Sequence, residues 1–169
     1  MLDPYLSQLA TFSNVQTLVI TNLVTPSFNA GALPICFGLT FPQVLSLRLL
    51  NPFACPISLL RFILAFPRIS NLEVQHPRWT RDITDDNSTL ALRDPNVPPL
   101  DGRLCLVGLG EKFEEFTSQL AMQGMKFRRF HLLRCGFTNG FAMHSFLDAL
   151  RGTLTILTVA PLEGGERVV

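Results

Sequence analysis

Charged side chains are scarce in this sequence: 16% of its 169 residues are Asp, Glu, Lys or Arg, where about 25% is ordinary. The 14 basic and 13 acidic residues leave a net charge of +1, which excludes the domain-wide basic excess of a general nucleic-acid binder. No apolar run reaches the roughly 18 residues of a membrane span. The best candidate, Ile57 to Phe66, is short and carries Arg61. The opening Met1-Leu2-Asp3-Pro4-Tyr5 has neither the basic region nor the apolar stretch of a signal peptide. The expectation is an intracellular protein, cytoplasmic or nuclear, with no nucleic-acid and no membrane partner. The four cysteines, Cys36, Cys55, Cys105 and Cys135, include no Cys-x-x-Cys pair, so neither a structural zinc site nor a dithiol redox centre is signalled. Buried reduced thiols are expected instead.

What the chain has in abundance is one short apolar phrase. It reads Val15-x-x-Leu18-x-Ile20, Val44-x-x-Leu47-x-Leu49, Ile69-x-x-Leu72-x-Val74, a partial Leu104-x-Leu106, Phe127-x-x-Phe130-x-Leu132 and Leu154-x-x-Leu157-x-Val159. Successive copies are about 25 to 32 residues apart, a period in the range of leucine-rich repeats. Each copy alternates as a strand does, with residues i and i+2 on one face. Between copies the spacing turns helical. Asp3-Pro4 opens a segment with Leu6, Leu9 and Phe12; Pro56 opens another that ends near Phe66-Pro67; Glu111 to Gln123 and Asn139 to Arg151 follow, stopped by Gly124 and Gly152. The lead-in from Thr25 to Pro42 is rich in Pro and Gly and predicts no more than a turn of helix.

Strands joined through helices must lie parallel, and such crossovers are right-handed. The predicted fold is therefore α/β: a leucine-rich-repeat solenoid of about six repeats, with a curved parallel sheet on the concave side and helices on the convex side. It forms one domain over residues 1–169, interrupted by an aperiodic loop at 76–99. In the fourth phrase Asp101 stands where an apolar residue is expected, as in a strand re-entering after that loop. Terminal units of such an array carry a polar outer face. Neither the start of the chain nor Pro161 to Val169 offers a capping helix, so the sequence reads as part of a longer solenoid or as a naturally shortened one.

The chemistry-bearing residues do not converge on a catalytic pattern. Gly108-Leu109-Gly110-Glu111-Lys112-Phe113 follows a strand and precedes a helix, but a dinucleotide fingerprint wants glycine where Phe113 stands, and a P-loop wants Ser or Thr after Gly-Lys. The three histidines, His76, His131 and His144, lack metal-ligand spacing. Asp82, Asp85 and Asp86 lack the alternation and glycine of a calcium loop. No Gly-x-Ser-x-Gly elbow occurs. No catalytic residue, metal ligand or cofactor is expected.

The outward strand positions predict a partner-binding wall. Along the stack it reads Thr17, Val19, Thr21; Ser46, Arg48, Leu50; Asn71, Glu73, Gln75; Arg103, Cys105, Val107; Arg129, His131, Leu133; Ile156, Thr158, Ala160. Isolated charges among aliphatics suit protein recognition, and arginines outnumber glutamate in the middle rows, favouring an acidic or phosphorylated partner. Arg48, Glu73, Arg103, Arg129 and His131 are the candidates on this wall. Trp79, flanked by Arg78 and Arg81, has two readings: an interface anchor on the loop, or a side chain folded back to shield the flank of the array.

Phe41-Pro42-Gln43-Val44-Leu45-Ser46-Leu47-Arg48-Leu49 and Phe66-Pro67-Arg68-Ile69-Ser70-Asn71-Leu72-Glu73-Val74 share the form Phe-Pro-x-aliphatic-x-x-Leu-x-aliphatic. With the helix Leu59-Leu60-Arg61-Phe62-Ile63-Leu64 between them, they resemble the leucine-rich-repeat region of fungal F-box proteins. The resemblance covers most of the chain, most closely from about Thr40 to Trp79. It implies a substrate receptor of a cullin ubiquitin ligase, whose F-box docks on a Skp-family adaptor while the repeats hold the target. No Leu-Pro-x-Glu-like opening of an F-box is seen here, so the adaptor is implied only if that motif lies outside this chain. The usual Asn or Cys after each strand is matched only by Cys135. The leading expectation is a non-enzymatic protein-interaction module. Two others stand beside it: a small nucleotide-binding protein or enzyme using Gly108 and Gly110, and a truncated product without an independent role.

Overall fold

The computed structural model describes residues 12, 14–24, 37–80, 102–123, 126–135 and 140–160. The architecture is mixed α/β. Six five-residue strands, β1 (Thr17–Thr21), β2 (Ser46–Leu50), β4 (Asn71–Gln75), β6 (Arg103–Val107), β7 (Arg129–Leu133) and β8 (Ile156–Ala160), form one parallel sheet in the order β1-β2-β4-β6-β7-β8. Every strand falls on one of the six apolar phrases. A second parallel sheet pairs β3 (Phe53–Ala54) with β5 (Arg78–Trp79). Residues 78–79 therefore form a strand where the sequence predicts loop. The backbone of Arg78 is drawn into pairing by its N–H bond to Pro52 O at 2.7 Å. The rest of the 76–99 segment beyond Thr80, the Asp82–Asp85–Asp86 group, Asp101, the segment opened by Asp3-Pro4, Gly124 and residues 161–169 lie outside the described residues.

The strand order advances in one direction, as right-handed crossovers arrange it, and the described helices all lie on one side of the sheet. Burial agrees with this. Leu47, Leu49, Leu72, Val74, Leu104, Leu106, Phe130 and Leu132 are buried in one core, while their strand neighbours Ser46, Arg48, Glu73, Arg129 and His131 keep contact with solvent. Helices α1 (Pro56–Leu64), α2 (Phe113–Met122) and α3 (Gly140–Ala149) supply the other half of that core through Leu59, Leu60, Phe62, Ile63, Phe116, Leu120 and Phe146. They pack side by side, α1 on α2 and α2 on α3. Residues 37–40 are helical and deliver Phe37 onto Phe62, with ring centroids 5.4 Å apart.

Local chemistry accounts for the helix ends. Cys55 caps α1, its sulfur accepting the Ser58 N–H at 3.4 Å, and Pro56 fills the first turn, where its missing N–H costs nothing. Glu114 and Glu115 in the first turn of α2 suit its positive end. A 3-10 turn, Gly110–Lys112, precedes that helix. Thr117 is buried in α2 because its hydroxyl donates back to Phe113 O at 2.8 Å, leaving no polar atom unsatisfied. The Phe-Pro motif proves to be a turn: Val44 N–H bonds to Phe41 O and Ile69 N–H to Phe66 O, with both phenylalanines buried below.

Two backbone features recur from strand to strand. At the strand entry one carbonyl accepts two successive N–H groups of the next strand: Gln16 O from Leu45 and Ser46, Leu45 O from Ser70 and Asn71, Gly102 O from Arg128 and Arg129, Arg128 O from Thr155 and Ile156. At the exit, the residue after each of five strands is left-handed: Asn22, Asn51, His76, Gly108 and Arg134, with φ between 47° and 63°. Each donates its N–H to the last carbonyl of the neighbouring strand (Leu50, Gln75, Val107, Leu133 and Ala160), so the ladder runs one residue past the sheet.

Candidate functional site

The register of the six strands aligns the outward residues into three rows. The entry row is Thr17, Ser46, Asn71, Arg103, Arg129 and Ile156; the middle row is Val19, Arg48, Glu73, Cys105, His131 and Thr158; the exit row is Thr21, Leu50, Gln75, Val107, Leu133 and Ala160. Among the described residues the helices pack on the opposite side of the sheet and leave this face open. Over β2, β4, β6 and β7 it holds a depression of about 890 Å3, lined by Ser46, Arg48, Asn71, Glu73, Arg103, Cys105, Arg128 and Arg129 among others.

The structure brings four of the candidate residues, Arg48, Glu73, Arg103 and Arg129, to this depression and sets His131 beside it in the middle row. Arg48 and Glu73 face each other across β2 and β4 in a two-point ion pair, Nε to Oε2 at 2.9 Å and Nη2 to Oε1 at 3.2 Å. Gln75 donates a further bond to Glu73 Oε1. Being partly exposed, the pair contributes about 0.5–1 kcal/mol to stability; its larger effect is to fix two long side chains flat on the sheet. Arg103 and Arg129 are register partners with no carboxylate between them. Arg128, absent from the sequence-based wall, joins the lining because it stands just before β7. Its position outside the strand alternation hides it from a period-two reading.

Cys105 and His131 are also register partners, with Glu73 on the other side of the cysteine. Their order resembles a thiol nucleophile, base and orienting acid, but the electrostatics run the other way. Burial pushes the Cys105 thiol up and Glu73 pushes it further, while Arg103 acts against them. Burial lowers His131, and the positive charges of Arg103 and Arg129 lower it more. A protonated thiol beside a neutral imidazole lacks the thiolate–imidazolium character of cysteine catalysis. Among the described residues no cluster of three or more His, Cys, Asp or Glu is arranged to hold a metal ion.

Trp79 lies away from the wall. Its indole N–H donates to Leu109 O at 2.6 Å and its ring packs on Phe116 with centroids 5.8 Å apart. Both contacts tie the side chain to α2 and the turn that precedes it. A contact spanning 30 residues has no local sequence signal. Gly108 makes the left-handed turn after β6 and spends its N–H on Leu133 O at 3.0 Å, so that amide does not face a ligand. Cys135 occupies the equivalent corner after β7, its sulfur 3.5 Å from Leu133 O and 3.8 Å from Leu106 O. Burial raises its pKa, and it is an inert structural thiol. Leu23, Pro52, Pro77 and Leu109 fill the same corner after β1, β2, β4 and β6, all buried, so apolar side chains stand where a polar ladder would need Asn or Cys. Among the described residues no helix is long and apolar enough to cross a membrane. Comparison of the chain with protein-family models, with curated proteins and with solved structures finds no match.

Proposed function

We propose that this chain is a protein-interaction module, without catalytic activity, that holds a segment of a partner protein on the open face of its sheet. The observation that carries the reading is the alignment of three outward rows, mixed in charge and apolarity, over a broad open depression where the described residues form no convergent catalytic group. Small-molecule sites are enclosed and mostly apolar; this one is open and polar.

The finer fold reading belongs with it. A leucine-rich-repeat-like solenoid, sheet on the concave side and helices on the convex side, is supported by the one-way strand order, the doubled amide bonding at strand entries and the left-handed residue at strand exits. The likeness to fungal F-box proteins extends the proposal to a substrate receptor. In that role the Skp-family adaptor is engaged by an F-box outside this chain, and the wall takes the protein to be ubiquitinated.

Selection from a random peptide library on the immobilised chain tests the module reading. Selected peptides are expected to lose binding to a variant carrying Arg48→Ala, Glu73→Ala, Arg103→Ala and Arg129→Ala, and to keep it when exposed Ser118 of α2 becomes Lys. Equal binding to the fourfold variant, with its circular dichroism unchanged, would overturn the reading.

A further inference from the structure

The charge on this face is not spread evenly. Among the described residues, four guanidinium groups line the depression against one carboxylate, Glu73, which Arg48 and Gln75 engage. Arg103 and Arg129 sit directly opposite each other on adjacent strands, about 4.8 Å apart at the backbone, an arrangement of like charges that is unfavourable in an empty sheet. None of the ion pairs among the described residues involves either one. Arg103 hydrogen-bonds the Cys105 sulfur. At the exit side of the same strands the outward side chains are instead Leu50, Gln75, Val107 and Leu133, each half-buried, and the adjacent Val107 and Leu133 form an aliphatic pair across β6 and β7. The face therefore runs from basic to aliphatic over four residues, about 13 Å along a strand.

We infer that the partner segment is phosphorylated: its phosphate sits between Arg103 and Arg129, and an aliphatic side chain four positions away packs on the register partners Val107 and Leu133. This rests on the reading of the open face as a protein-binding surface. The chemistry selects phosphate over a single carboxylate. Two opposed guanidinium forks match the several acceptor oxygens of a phosphoryl group, which carries about −1.5 to −2 charge near neutral pH. The aliphatic row and the net charge of +1 disfavour a nucleic-acid strand, whose phosphates repeat along its whole length.

The test uses two peptide pools, one with a fixed phosphoserine in random flanks and one with serine in its place. The phosphoserine pool is expected to be retained at least tenfold better, with Leu, Ile or Val enriched four positions from the phosphoserine. Arg103→Gln with Arg129→Gln should erase the preference for phosphate without altering the circular dichroism, and Leu133→Ser should erase the aliphatic enrichment alone. Equal retention of the two pools, lost from the fourfold wall variant, would overturn the phosphate inference and leave the module reading standing. Retention of neither pool above that variant would overturn both. Displacement of the phosphopeptides by oligouridylate at equal phosphate concentration would show a general polyanion surface and also overturn the inference.

Discussion

Leu104 in β6 and Leu157 in β8 stand at equivalent positions of the same apolar phrase, on the same face of one sheet, yet Leu104 is 0% exposed and Leu157 is 44% exposed. Neighbours make the difference. Strand β6 lies between β4 and β7 and is covered by α2, whereas β8 pairs on one side only among the described residues. In a parallel array a strand's own sequence sets which residues turn inward, and the units on either side decide how far they are buried. Sequence pattern and burial are separate links, and β8 is where they part.

The largest effect is expected from core truncation. Leu104→Ala should cost about 2–5 kcal/mol in urea-induced unfolding, and Leu157→Ala about 1 kcal/mol, since much of its side chain already meets water. Similar costs at the two positions would mean that β8 is covered as fully as β6. The corner after β6 gives the next contrast. A Cβ at Gly108, where φ is +63°, would lie 2.4 Å from His76 Nδ1, while Gly152 has nothing within 4 Å. Gly108→Ala should destabilise by about 1–3 kcal/mol, and Gly152→Ala should change stability by less than about 0.5 kcal/mol. Across the open face, a double-mutant cycle on Arg48 and Glu73 should return a coupling of about 0.5–1 kcal/mol that shrinks in high salt.

The smallest effect is on pH. His131 is lowered in the folded protein by burial and by Arg103 and Arg129, so the unfolded chain binds more protons between the folded pKa and about 6.5. Its contribution to stability is therefore complete above about pH 6.5 and lost as the pH falls through the folded value. His131→Gln should flatten that part of the stability profile. A steeper profile in the variant would contradict the placement of His131 beside the two arginines.

The six strands, α1 and the wall were legible because each rests on local chemistry: period-two apolarity, Pro56 after a capping Cys55, and Phe-Pro turns at Phe41 and Phe66. The left-handed corner was not, because five different placements of the same conformation use Asn22, Asn51, His76, Gly108 and Arg134. Gly and Asn advertise it, and His to a degree; Arg does not. Trp79 was ambiguous since its partners, Leu109 and Phe116, come from the far side of a long insertion. Of the basic concentration, Arg103 and Arg129 were legible from the aligned phrases, whereas Arg128 lies outside the strand alternation and joins only through the fold. Cys105 carried two readings, a buried thiol and an outward wall position, and it is both: it faces outward yet is buried between Glu73 and His131.

The most direct test of the central claim is to map a library-selected peptide by amide chemical-shift perturbation on the labelled chain. The account predicts that the largest shifts fall on residues 46–48, 71–73, 103–105 and 129–131, along the open face. Shifts concentrated instead on Gly108 to Lys112, or on the outer surfaces of α1, α2 and α3, would contradict it.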